Sequence, residues 1–127
     1  MIMAGQQPES CNMRGVCGKQ WVFEADGSVY PCDFYMLDEY RLGNFNPDLL
    51  DVIDKKRENI GFISRSRKIP EGCAACPHYM LCRGGCQRSR DLHPETGLYT
   101  NYFCEGYRMF FDACGDTIRE IAAQLQR

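Results

Sequence analysis

A chain of 127 residues, 44% hydrophobic and 25% charged, is the size of one domain with a modest core. A net charge of -2 gives no electrostatic reason to expect nucleic acid or an anionic membrane as partner. No apolar run approaches the roughly 20 residues that span a bilayer, and the start, Met-Ile-Met-Ala-Gly-Gln-Gln-Pro, lacks the basic and apolar regions of a signal peptide.

Residues 1–10 carry Gly5 and Pro8, show no periodicity, and read as a linker from a preceding domain outside this chain. The cysteine-rich domain is then expected over 11–127. Cys11 and Cys17 open it, with Gly15 and Gly18 permitting the tight backbone of a ligand loop. Gln20–Glu24 and Ser28–Cys32 are two β-rich runs around Ala25-Asp26-Gly27, which predicts a two-stranded hairpin returning Cys32 towards Cys17. Leu37–Phe45 reads as loop or short extended structure. Asn46-Pro47-Asp48 predicts a helix start, with Asn as N-cap and Pro at the first helical position. Leu49, Leu50, Val52, Ile53 and Ile60 then give one apolar face. Gly61 allows a bend, and Phe62 and Ile63 begin a second short helix before Pro70. Around His78–Leu81 there is room for one turn. Asp91–Thr100, with Pro94 and Gly97, reads as an exposed loop. From about Phe103 to Gln126, apolar residues recur every three or four positions and predict a long C-terminal helix, weakened at Gly115. The fold class expected is α+β: a small cysteine-rich domain with a hairpin, loop-wrapped metal clusters and that helix.

Nine cysteines dominate the chemistry. An odd count without an export signal argues against a disulfide-stapled secreted domain; in a reducing cytosol such density means metal or cluster ligation. Cys73, Cys76, Cys82 and Cys86 fall within fourteen residues. Cys114 sits on the apolar face of the last helix and reads as a small buried hydrophobe. The remaining eight thiols make two four-thiolate sites, suited to zinc or to iron–sulfur clusters. In two-cluster ferredoxins the fourth cysteine of a dense run ligates the other cluster. The same logic joins Cys73, Cys76 and Cys82 with Cys104, and sends Cys86 across Gly84-Gly85 to Cys11, Cys17 and Cys32. His78 and His93 read as structural or solvated. Arg83, Arg88 and Arg90 read as solvated surface charge, with cluster neutralisation or partner docking as the alternative. Trp21, Phe34 and Tyr35 can line a peptide groove or serve equally as core around the hairpin.

The full spacing, Cys11-x5-Cys17-x14-Cys32, a gap, then Cys73-x2-Cys76-x5-Cys82-x3-Cys86-x17-Cys104, resembles the SPASM domain of radical S-adenosylmethionine enzymes. Asp26-Gly-Ser-Val-Tyr-Pro-Cys-Asp-Phe-Tyr35, Tyr40-Arg-Leu-Gly-Asn44, Leu81-Cys-Arg-Gly-Gly-Cys86 and Asn101-Tyr-Phe-Cys104 are similar to the anaerobic sulfatase-maturating branch. That resemblance implies two auxiliary 4Fe–4S clusters, one on Cys11, Cys17, Cys32 and Cys86 and the other on Cys73, Cys76, Cys82 and Cys104. It implies a barrel domain, in cis or trans, that cleaves S-adenosylmethionine, and a sulfatase peptide whose Cys or Ser becomes formylglycine in the cytoplasm. It also implies a carboxylate base after the third ligand, here Asp33. Without the resemblance, Asp33 would be a solvated loop carboxylate. The superfamily's Cys-x3-Cys-x2-Cys motif is absent, because Ser89 stands three residues after Cys86. The chain is therefore expected to be inactive alone, as an auxiliary-cluster part of such an enzyme. The alternative is a structural zinc- or cluster-binding module that docks a peptide or protein without a redox role.

Overall fold

The computed structural model describes residues 2–125; Met1, in the expected linker, and Gln126 and Arg127, at the end of the expected helix, lie outside the described residues. The chain forms two compact units, one of residues 17–67 and one of residues 1–16 with 68–127. In chain order the first elements are α1 (Cys11–Arg14), β1 (Val22–Phe23), β2 (Ser28–Tyr30), β3 (Gly43–Asn44), α2 (Leu50–Asn59) and α3 (Phe62–Ser66). They are followed by α4 (Glu71–Ala74), α5 (Tyr79–Cys82), β4 (Arg90–His93), β5 (Leu98–Asn101) and α6 (Cys104–Gln124). The mixed α and β composition and the long final helix are as the sequence predicts.

In the 17–67 unit, β1 and β2 pair antiparallel as expected, with Val22 opposite Tyr30 and Phe23 opposite Val29. The Asp26 carboxylate accepts from the Ser28 amide at 2.8 Å and the Ser28 hydroxyl at 2.9 Å, which fixes the turn. These bonds hold its carboxyl below the usual carboxylate range. The hairpin is not alone: β3, from the stretch read as loop or extended, adds a third strand against β2. Val29, Leu42 and Ile53 form the core beneath the sheet, with Ile60 against them. Tyr35 packs edge-to-face on Tyr40 and Phe62, with centroids 4.7 and 4.9 Å away.

The start of α2 differs from expectation. Asn46-Pro47-Asp48 forms a turn and the helix begins at Leu50, with Leu49 in the capping position. The Asp48 carboxylate accepts from the Asn44 amide at 2.8 Å, and the Asp48 amide bonds back to Asn44 at 3.0 Å. Pairing with β3 thus takes the groups that would have capped a helix. The apolar face is also narrower than predicted. Ile53 is buried, whereas Leu49, Leu50 and Val52 are exposed, and Arg57 takes the buried position one turn on. Its guanidinium bonds Asp54 and the Gln20 carbonyl.

In the other unit, Asp91–Thr100 is not a loop. It forms the β4–β5 hairpin, with four pairs from Arg90 opposite Asn101 to His93 opposite Leu98. Pro94 and Gly97 lie in its turn, where they do not interrupt the ladder. Helix α6 runs through Gly115, which is buried on its inward face. Tyr107, Phe111, Cys114 and Ile118 are half-buried along that face, while Phe110, Ile121 and Leu125 are exposed. Residues 2–4 form a 3-10 turn that packs on α5 and α6. Among the described residues of this unit Ala122 alone is a buried hydrophobic, and the buried polar side chains are Gln87, Arg90 and Asn101.

Candidate metal centre

Short helical turns separate the clustered thiols. Cys73 lies in α4, Cys76 follows it, and Cys82 ends α5, whose first amide bonds the Cys76 carbonyl at 3.0 Å. Cys104 is the first residue of α6, at the helix end whose free amides favour an anionic centre. The structure brings Cys73, Cys76, Cys82 and Cys104 to the wall of one cavity of about 400 Å³, completed by His78, Tyr107 and Phe111 among others. All four thiols are half-buried. Burial pushes the Cys73 and Cys82 thiols up, reinforced by the neighbouring sulfurs of the set and opposed by Arg90.

After Cys82 the chain reverses through Gly84 (φ +79°) and Gly85 (φ +65°). A Cβ on Gly85 would strike the Asn101 side-chain amide. Asn101 donates to the Gly84 carbonyl at 3.0 Å and accepts from the Phe103 amide at 2.8 Å, tying the glycine pair to the start of α6. Cys86 lies outside the lining of the cavity. Its amide donates to Asn12 Oδ1 at 2.6 Å, beside Cys11 in α1, and its sulfur accepts from the Arg88 amide at 3.4 Å.

In the 17–67 unit, the Cys17 amide donates to Ser66 Oγ at 3.0 Å. The Cys32 thiol donates to Asp33 Oδ1 at 3.2 Å, and the same oxygen accepts from the Phe34 amide at 3.1 Å. Burial pushes the Cys32 thiol up to about 12, with further contributions from Asp33 and from Cys17; the Phe34 amide opposes them. Asp33 is exposed. Of the aromatic residues expected nearby, Tyr35 belongs to the core, Phe34 is exposed, and the Trp21 indole donates to Asp54 at 3.0 Å.

Sequence reasoning missed Asn12 and Asn101, and it misjudged Arg90. Arg90 is 8% exposed rather than solvated. Its guanidinium donates to the carbonyls of Gly84, Gly85 and Gly15 at 3.0, 2.7 and 2.7 Å. Burial of a charge needs such partners, and glycine-rich loops with uncommitted carbonyls beside the cysteines were the available signal. His78 places Nε2 2.8 Å from Asp112 Oδ1 and its ring 5.7 Å from Phe111. His93 Nε2 is 2.8 Å from Thr100 Oγ1 across the hairpin. Cys114 is half-buried on α6 and does not line the cavity.

The donor set suits a thiophilic centre. Tetrahedral zinc, with Zn–S of about 2.3 Å, draws its sulfurs to about 3.8 Å from one another. Among the described residues no three His, Cys, Asp or Glu side chains converge closely enough to hold a single ion. Four thiols lining one space of about 400 Å³ are donors for zinc or for an iron–sulfur core.

This cysteine-lined α+β architecture is that of an iron–sulfur cluster-binding domain, and the SPASM family model matches residues 11–77. The chain belongs to the SPASM family. It is 46% identical over 111 residues to the cysteine-type anaerobic sulfatase-maturating enzyme of Clostridium perfringens, an alignment covering 87% of this chain and 30% of that protein. It is 34% identical to the serine-type enzyme of Bacteroides thetaiotaomicron, over 84% of this chain and 26% of the other. Among solved structures, native anSMEcpe with bound AdoMet superposes with a TM-score of 0.84 at 40% identity, over 98% of this chain and 34% of that one. The same enzyme with AdoMet and the Cp18Cys peptide gives 0.80 at 41% identity, over 92% and 32%. The chain thus spans about 30% of the length of the relatives it matches.

Proposed function

We propose that this domain binds two 4Fe–4S clusters and, joined to a radical S-adenosylmethionine barrel, serves the oxidation of a sulfatase Cys or Ser to formylglycine in the cytoplasm. The observation that carries the reading is the cavity walled by four thiols in a chain of the SPASM family. Cys73, Cys76, Cys82 and Cys104 would hold one cluster; Cys11, Cys17, Cys32 and Cys86 are the ligand set for the other. When bound, such clusters supply one-electron acceptors. The relatives' names supply the substrate class, and the higher identity to the cysteine-type enzymes favours cysteine.

The chain's own residues have definable tasks. Loss of a hydrogen atom to the barrel's radical, then of one proton and one electron, takes CH2–SH to CH=S or CH2–OH to CH=O. Water then replaces sulfur by oxygen in the cysteine case, releasing hydrogen sulfide. Asp33 is suited to take the remaining proton: it is exposed, and the Phe34 amide bonds its Oδ1, which leaves Oδ2 to face a substrate. Exposed Phe34 beside it can bear on the peptide.

Anaerobic reconstitution followed by iron, sulfide and zinc quantitation, with paramagnetic resonance of the reduced sample, tests the reading. About eight irons and eight sulfides per chain with a cubane signal are expected. About two zincs and no sulfide, with iron and sulfide offered, would overturn it and leave a structural docking module.

A further inference from the structure

We propose that Arg90 is a positioning residue for the cluster held by Cys73, Cys76, Cys82 and Cys104, and that its buried charge raises that cluster's reduction potential. The inference rests on the cluster reading of the cavity. Three features of the Arg90 site carry it.

The first is the fork. The guanidinium donates to Gly84 and Gly85, in the four-residue step from Cys82 to Cys86, and to Gly15, in the stretch between Cys11 and Cys17. Gly15 approaches the same turn so closely that a Cβ there would strike the Arg83 carbonyl oxygen. One rigid planar cation therefore pins the reversal after which Cys82 faces the cavity and Cys86 does not. Lysine, a point charge, cannot hold three carbonyls in that geometry.

The second is position. Gly84 lines the cavity. The guanidinium lies directly behind it, with Arg90 Nη2 3.3 Å from where a Gly84 Cβ would stand. The charge is thus one backbone thickness from the cavity wall and shielded from solvent.

The third is its electrostatic partnership. Its charge acts on the thiols of Cys73 and Cys82, where it favours the anionic form. A cluster gains one negative charge on reduction, and a fixed buried cation stabilises that form more than the oxidised one.

The test compares the reconstituted wild-type chain with Arg90→Lys, Arg90→Gln and Asn101→Ala, reading iron per chain, the rate of iron loss to a chelator, and midpoint potential by redox titration. Asn101→Ala removes a neutral clamp on the same Gly84 carbonyl. Arg90→Lys should hold its potential near wild type while losing iron several-fold faster. Arg90→Gln should lose iron at least as fast, and the cluster that remains should titrate at a lower potential. Asn101→Ala should leave the potential unchanged. If Arg90→Gln fails to fold, the other two variants decide: Arg90→Lys with wild-type iron retention, or Asn101→Ala with a lowered potential, overturns the proposal. So does an Arg90→Gln cluster at the wild-type potential. Absence of sulfide and iron from wild type would instead defeat the cluster reading itself.

Discussion

In the proposed function, Asp33 joins two tasks in one side chain. Its Oδ1 receives the Cys32 thiol and the Phe34 amide, while the rest of the group faces solvent. A base so placed should matter for turnover and little for assembly. Asp33→Asn, joined to its barrel and assayed for formylglycine in a sulfatase peptide, should lower kcat roughly a hundred- to ten-thousand-fold. Iron and sulfide content should stay at the wild-type level, which separates loss of a base from loss of a cluster. Cys114 illustrates the converse: half-buried on α6, it is a thiol in a cysteine-rich chain that the cavity does not use.

At the scale of elements, the 17–67 unit has an ordinary hydrophobic core, with Val29 and Ile53 both 0% exposed. Ile53→Ala should lower the unfolding free energy by roughly 2–5 kcal/mol in denaturant titrations, through lost burial and a residual cavity. The β1–β2 hairpin was legible because Asp26-Gly27 stands between β-rich runs. The β4–β5 hairpin was not. Its first strand, Arg90-Asp91-Leu92-His93, shows no apolar alternation, and its pairing is backbone ladder anchored by buried Arg90 and Asn101. Asn46-Pro47-Asp48 carries every local sign of a helix start, yet Asp48 is committed to Asn44 and β3. The cysteine spacing announced the thiol cavity. Arg90 was hidden because its burial depends on Gly15, remote in sequence, arriving beside Gly84.

At the scale of the whole molecule, the two units differ in what can hold them together. The 1–16 and 68–127 unit surrounds a thiol-lined cavity and a polar cluster, with Ala122 its one buried hydrophobic among the described residues. With the proposed cluster bound, metal ligation would add strongly to the cohesion of this unit. Chelation should abolish amide protection in β4, β5 and α6 while Val29 and Ile53 keep theirs, as read by hydrogen exchange. The metal-free chain should also be alkali-sensitive. Cys32, in the unit that stays folded, ionises at higher pH when folded than when unfolded. Its stabilising contribution is therefore complete below the ordinary thiol value of 9.0 and is lost as pH rises towards about 12. Denaturant midpoints of metal-free protein should fall across that interval.

The thiol cavity is also complete within a short length of chain. Its outermost thiols, Cys73 and Cys104, are 31 positions apart, whereas Cys11 and Cys86, the extremes of the other proposed set, are 75 apart. Drawing in the longer span costs about 0.8 kcal/mol more closure entropy, a several-fold bias between the two assembly events. Under limiting iron and sulfide the two sites should fill in a fixed succession, the local set first. Cys76→Ser should then abolish the early phase of cluster absorbance and Cys17→Ser the late one, so that the order of maturation is written into the distances between cysteines along the chain.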